Sequence, residues 1–226
     1  SSSSSALAGT TVTNATLHNQ DFINEKQIAI GDTIVVRKAG DIIPEVLSVV
    51  NHCGEPTFTL PSVCPSCGAE VMREDGEAAV RCNNSDCPAQ LKRRLIHFCS
   101  RDAMDIEGLG SSIVEALIEK GLIHSPADIY YISLDQMKSL WQKGNTAANK
   151  LLTAIEASKE RDVSRLIYAL GIRQVGAKTG KVLASHFGTM DNLMQATAEE
   201  LTEVEDIGVV TAESITNGLD KLSPFR

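Results

Sequence analysis

The chain has 226 residues, 42% hydrophobic, 22% charged and only 4% aromatic with a single Trp, so several small modules are favoured over one large aromatic core. No run reaches the roughly 18 apolar residues of a membrane-spanning helix, and no basic, then apolar, then small-residue start marks a secretory signal. The net charge of −8 argues against a polyanionic partner, but it is uneven: residues 1–90 carry 5 basic and 11 acidic side chains, 91–181 carry 14 and 10, and 182–226 carry 2 and 8.

The five opening serines are low complexity and are read as a tag or a disordered segment, outside the fold. Residues 6–60 read as a small antiparallel β module. Thr10 to Thr16 is rich in Thr and Val, Thr33 to Arg37 is β-branched, Gly40-Asp41 punctuates, and Val46 to Val50 is a further strand. Pro44 stands at the start of that strand, where a missing donor is tolerated.

Residues 61–90 are short of apolar side chains and hold Cys64-Pro65-Ser66-Cys67 and, after fourteen intervening residues, Cys82-Asn83-Asn84-Ser85-Asp86-Cys87. Each pair offers two thiolates to one ion, two pairs complete a tetrahedron, and four soft sulfurs suit zinc. Four ligands leave no open position, so the zinc is structural, and it supplies folding free energy that the segment lacks. Reduced thiols or an iron–sulfur cluster are the competing readings. Cys53 and Cys99 fall outside the spacing and read as buried thiols. His52 would serve as a ligand only if a cysteine failed.

From residue 91 to 226 the periodicity is helical, with helices expected at 147–159, 163–170, 178–187, 197–203 and 210–219. Gly110, Gly144, Gly176 and Gly208 recur at spacings of 34, 32 and 32. Four residues before them stand Ile106, Leu140, Ile172 and Val204; four after, Val114, Ala148, Gly180 and Ala212; seven after, Leu117, Leu151, Leu183 and Ile215. The pattern predicts four units of helix, glycine hairpin, helix, with the later positions on one helix face. Hairpin amides and the following helix N-terminus form an anion site suited to a phosphate, independent of base sequence. Gly108, Gly110, Lys143, Gly144, Arg173, Gly176, Lys178 and Gly208 are the candidate phosphate contacts. Gln142 and Lys143 in the second copy, and Asp206 in the fourth, point to packing more than binding there. A purely structural repeat is the bland alternative; tetratricopeptide and ankyrin signatures are absent. Lys92, Arg93, Arg94 and Arg101 suit phosphates or a solvated helix face equally. Asp102, Asp105 and Glu107 read as acids complementing a helix dipole rather than a nuclease metal site.

The β module carries Leu7-Ala8-Gly9-Thr10, Thr16-Leu17-His18-Asn19 and Arg37-Lys38-Ala39-Gly40-Asp41-Ile42-Ile43-Pro44. With the four-cysteine finger, Asp102 to Gly110 and Tyr168 to Arg173, this order of modules resembles the bacterial NAD-dependent DNA ligase family over residues 7–220. The resemblance implies a multidomain β plus all-α chain. Its parts would be an N-terminally truncated OB-type antiparallel barrel, a four-cysteine zinc finger and a domain of four helix–hairpin–helix units. It implies that the OB-fold grips DNA at a nick, with Thr16, His18, Arg37, Lys38, Gly40, Asp41, Ile42 and Ile43 in its motifs. The family seals nicks in duplex DNA through ligase–AMP and DNA–adenylate intermediates, using NAD and magnesium. No Lys-x-Asp-Gly motif occurs in these residues, so the fragment is expected to bind nicked duplex without ligating it. The resemblance also implies that the terminal BRCT domain lies beyond the sequence. The partner expected is nicked double-stranded DNA, and the protein a bacterial, cytoplasmic, nucleoid-associated monomer. A non-catalytic repair scaffold and a zinc/OB interaction module are the rival functions.

Overall fold

A computed structural model describes residues 5–7, 10–39, 43–73, 76–84, 86–140 and 145–220. Contacts divide the chain into two compact units, 1–84 and 85–226. Among the described residues, no helix is long and apolar enough to cross a membrane.

The first unit contains β1 (Ser5–Leu7), β2 (Thr10–Val12), α1 (Gln20–Lys26), β3 (Thr33–Ala39), β4 (Ile43–Asn51), β5 (Val71–Arg73) and β6 (Val80–Cys82). The strands pair as three separate antiparallel ribbons, β1–β2, β3–β4 and β5–β6. β4 follows β3 from Thr33↔Asn51 to Ala39↔Ile43, with irregularities at Thr33/Ile34 and Val35/Val36. The ribbons do not close into a barrel among the described residues. An OB barrel needs about five strands, and the segment before residue 60 supplies four. The strand expected over Thr10 to Thr16 ends at Val12, and Thr16 instead makes a single bridge to Glu45 on β4. Pro44 occupies the second position of β4, and its carbonyl accepts from the Thr16 amide at 2.8 Å.

Helix α1 interrupts what reads as all strand. The Asn19 side chain accepts from the Phe22 amide, and Gln27 closes the helix at a left-handed φ of 53°. α1 buries Ile23 against Ile28 and Val46, with Leu17, Phe22, Ile34, Val49, Phe58 and Leu60 packed around them. This small cluster is the apolar core of the unit.

The second unit is helical: α2 (Pro88–Cys99), α3 (Ser111–Glu119), a 3-10 turn (Pro126–Tyr131), α4 (Leu134–Lys138), α5 (Asn145–Ser158), α6 (Val163–Ala169), α7 (Ala177–Phe187), α8 (Met190–Gln195), α9 (Ala198–Thr202) and α10 (Val209–Asp220). Two apolar clusters fill it. One gathers Leu95, Phe98, Met104, Leu117, Ile123, Ile129, Met137 and Leu151. The other gathers Ile167, Leu183, Leu193, Leu201 and Ile215. The repeat positions account for both: Val114, Ala148 and Ala212, and Leu117, Leu151, Leu183 and Ile215, are all buried. Gly180 permits the closest approach, since a β-carbon there would lie 2.8 Å from the Ser164 carbonyl oxygen. That is why α6 and α7 pack as they do.

Candidate nucleic-acid interface and metal centre

The sulfurs of Cys64, Cys67, Cys82 and Cys87 all lie within 4.8 Å of one another, and those of Cys67 and Cys82 are 3.6 Å apart. A tetrahedral Zn–S₄ centre with bonds near 2.3 Å has edges of about 3.8 Å, so the donor set fits zinc. The first knuckle is built as its sequence requires. The Cys64 amide donates to Ala69 O and the Gly68 amide to Cys64 O, both at 2.8 Å, with Gly68 at φ +72°. The Ala69 amide, then Asn84 and the neighbouring thiols, draw the Cys67 thiol below its ordinary range. Cys87 is also the residue before Pro88, the proline that opens α2. His52 is not a fifth donor; it pairs with Asp32 at 3.2 Å. The other two cysteines part company. Cys99 is buried and its thiol is pushed up to about 12 by that burial, whereas Cys53, expected to be buried, is exposed, its thiol donating to Ile30 O. Cys53 is not among the side chains that pack into the small core.

Three hairpin turns repeat one bonding scheme. The amides of Leu109, Val175 and Ile207 donate to the carbonyls of Ile106, Ile172 and Val204 at 3.2, 3.1 and 3.1 Å. The amides of Val114, Gly180 and Ala212 donate to the carbonyls of Gly110, Gly176 and Gly208 at 3.0, 2.9 and 2.9 Å. The third residue of each turn is left-handed: Gly108 at φ +91°, Gln174 at +67° and Asp206 at +66°. The repeated glycine is a different case. Gly110 and Gly176 have φ −80° and −86°, which any residue adopts, so a left-handed angle is found at Gly108 but not at these two. A β-carbon on Gly110, Gly176 or Gly208 would meet nothing within 4 Å. Neither backbone angle nor internal packing demands glycine there.

The helix starts sort into two kinds. Helices α1, α4, α6, α8 and α9 begin with Asn19, Ser133, Asp162, Thr189 and Thr197, whose side chains each accept from a first-turn amide. Helices α3 and α7 begin with Gly110 and Gly176 and have no side-chain cap; α2, entered from Cys87, has none either, but it opens with Pro88, which brings no N–H. The amides of the first two residues of α3 and of α7 have no acceptor within the helix and carry the positive end of its dipole. Beside the first of these turns lies an open, mainly apolar groove of about 470 Å³, lined by Ile96, Cys99, Ile106 and Leu109 together with Ser100, Arg101, Asp105, Glu107, Gly108 and Gly110. Arg161 pairs with Asp105 at 2.9 Å, and Arg165 donates to the carbonyls of Ala103 and Arg101, so two arginines of the following segment fix the loop that enters the turn. Their role spans more than fifty residues of sequence and no local pattern signals it. Asp105 is thus ion-paired, and the four cysteines are the one metal-capable cluster among the described residues.

Of the remaining candidates, Arg173 and Lys178 are exposed beside the third turn, and Lys178 pairs with Asp206. Lys92 is tied to Glu115 at 2.7 Å. Lys143 and Gly144 lie outside the described residues, as do Gly40, Asp41 and Ile42; Lys38 pairs with Pro44 through the backbone. Thr16, His18 and Arg37 converge on a residue the sequence does not single out, Glu45. Its carboxylate takes Arg37 Nε at 2.7 Å and His18 Nε2 at 3.3 Å, and these contacts, Arg37 foremost, hold it below the usual glutamate range. Ile43 is exposed at the start of the same strand.

Comparison with known proteins follows the same order of modules. Residues 4–56 match the NAD-dependent DNA ligase OB-fold domain, 63–89 the NAD-dependent DNA ligase C4 zinc finger domain and 165–222 the helix-hairpin-helix motif. The chain is 52% identical over 212 residues to a DNA ligase of Pelotomaculum thermopropionicum, covering 92% of this chain and 31% of that protein. It is 54% identical over 212 residues to a DNA ligase of Heliobacterium modesticaldum, with the same coverage. A DNA ligase of Thermoanaerobacter sp. (strain X514) is 50% identical over 215 residues, covering 94% of this chain and 32% of that protein. The resemblance to NAD-dependent DNA ligases therefore holds through all three modules, and the chain spans about a third of the length of the curated relatives it matches.

Proposed function

We propose that this chain is the part of an NAD-dependent DNA ligase that grips the duplex around a nick. The observation that carries this reading is the pair of uncapped glycine starts at α3 and α7, in a protein whose helices α1, α4, α6, α8 and α9 are each capped by their own side chains. Bare amides there receive phosphate oxygens, and a side chain on Gly110 or Gly176 would stand in the path of the approaching backbone. Such contacts ignore base identity and need little formal cationic charge, which reconciles a net charge of −8 with a polyanionic partner. In this reading the turn at Gly144 completes a set of four helix–hairpin–helix units. The β module acts as an OB-type clamp through Thr16, His18, Arg37, Lys38, Gly40, Asp41, Ile42 and Ile43.

The four thiols of the zinc site hold the finger folded and supply no chemistry. NAD, magnesium and the lysine that accepts AMP belong to the rest of the ligase, because no Lys-x-Asp-Gly motif is present in this sequence. The working location is the bacterial nucleoid, and the chain binds as a monomer.

The test uses Gly110→Ser and Gly176→Ser in the zinc-loaded chain with a fluorescent nicked duplex. A serine hydroxyl caps the first-turn amides, so the helices keep or gain a few tenths of a kcal/mol while the anion site closes. Weaker binding with unchanged or higher melting temperature is expected; unchanged binding in the double variant overturns the reading. Labelled NAD should leave no covalent adduct on the chain.

A further inference from the structure

We propose that Glu45 is a positioning residue for DNA: it presents Arg37 and His18 to a single phosphate. The inference rests on the DNA-binding reading above and assigns the β module's grip to one arrangement. Arg37 and Glu45 stand opposite each other in the β3–β4 register, so the pair is fixed by the ribbon rather than by side-chain search. The Glu45 side chain is 15% exposed and Arg37 60% exposed. The carboxylate takes the guanidinium Nε at 2.7 Å, and among the described residues the Arg37 side chain makes no other hydrogen bond. With Nε engaged and the side chain 60% exposed, the two Nη groups remain for a phosphate, which arginine binds in two parallel bonds.

The second oxygen of Glu45 takes His18 Nε2 at 3.3 Å. His18 reaches it from a left-handed backbone, φ 54°, that a non-glycine residue holds only when its surroundings impose it. The surroundings do so. The His18 amide donates to Thr16 Oγ1 at 3.1 Å, the Thr16 amide donates to Pro44 O at 2.8 Å, and the ring packs edge-on against Phe22 at 4.9 Å. With Nε2 donating to Glu45, the Nδ1 edge of the ring remains unengaged among the described residues, and as an imidazolium it donates from there to a phosphate. Two residues drawn from two motifs thus meet at one carboxylate that belongs to neither.

A carboxylate on a DNA-facing surface has two opposite consequences, and they give the test its sign. If Glu45 acts only through its charge, removing it tightens binding. If it acts by holding donors, removing it weakens binding although the surface gains a positive increment. Affinity for a fluorescent nicked duplex is measured on the zinc-loaded chain. Glu45→Ala is expected to weaken binding about fivefold or more, and Glu45→Gln, which keeps an acceptor for Arg37 Nε, to stay within about twofold of wild type. In a background carrying Arg37→Ala and His18→Ala, Glu45→Ala is expected to change nothing further. Equal or tighter binding by Glu45→Ala, loss by Glu45→Gln as large as by Glu45→Ala, or a full additional loss in the double background each overturns the proposal. Thermal melts report whether Glu45→Ala folds; if it does not, the glutamine variant and the background comparison decide. Failure of wild type to bind duplex DNA would instead remove the underlying reading.

Discussion

Lys178, in the first turn of α7, donates from Nζ to Asp206 Oδ2 at 2.5 Å, joining the third hairpin turn to the fourth. Asp206 also holds the Lys178 ammonium above its ordinary value. The acid that looks unsuited to a phosphate site is therefore matched by a base from its neighbour, and the base is withheld from any phosphate that Gly176 receives. Asp206→Asn releases it. Binding to duplex DNA should tighten, and the plot of log affinity against log salt should steepen by about 0.9 as one more phosphate is neutralised. A shallower slope would show that Lys178 does not turn to DNA.

Gly108 and Gly110 lie two residues apart and should respond oppositely. Gly108 is at φ +91°, so Gly108→Ala forces a β-carbon into a left-handed backbone and should cost about 1–2 kcal/mol in urea unfolding. Gly110→Ser should leave unfolding unchanged or slightly later and weaken DNA binding without altering the salt slope, since amides displace no counterions of their own. Equal destabilisation by both would refute the distinction drawn between them.

Asp32 makes the β module sensitive to acid. Its buried carboxylate accepts from the amides of Cys53 at 2.9 Å and Ala29 at 2.8 Å, with His52 alongside, and these bonds lower its pKa from 3.8 to about 2. A carboxyl held lower in the folded state than in the unfolded one stabilises fully above the unfolded value. That contribution fades as pH falls from about 4 towards 2. Intrinsic fluorescence is poorly placed to follow this module, so amide NMR signals of residues 29–53 are the measure. Asp32→Asn should flatten their acid dependence over that interval.

Thiol chemistry should separate the six cysteines into three classes. With zinc bound, alkylation at neutral pH should mark Cys53 alone. After chelation Cys64, Cys67, Cys82 and Cys87 should join it, and Cys99, buried with its thiol pushed up to about 12, should react only on unfolding. Rapid labelling of any of the four clustered thiols in zinc-loaded protein would argue against the site.

What can be read from the sequence is whatever is written locally. The hairpin turns are legible because Ile106, Ile172 and Val204, and Leu117, Leu183 and Ile215, repeat at fixed offsets from a glycine. The zinc ligands are legible because two short spacings suffice to bring thiols together. Helix α1 escapes such a reading because it is seven residues long and buries only Ile23, although Asn19 and Asp21 are proper start signals. α8 escapes it for the same reason, with Thr189 as its cap. Glu45, Arg161 and Arg165 are out of reach altogether: Glu45 meets His18 across 27 residues, and Arg161 meets Asp105 across 56. Tertiary structure alone brings such partners together.

Helix starts left without a side-chain acceptor have a bearing on how such a protein searches. A body with a surplus of eight negative charges is repelled by a polymer of like sign until surfaces touch. Adhesion then depends on the fit of neutral corners to a sugar–phosphate rail, not on long-range attraction. In our reading of its function, the chain skims undamaged duplex with little drag and lingers only where the rail presents the right contour.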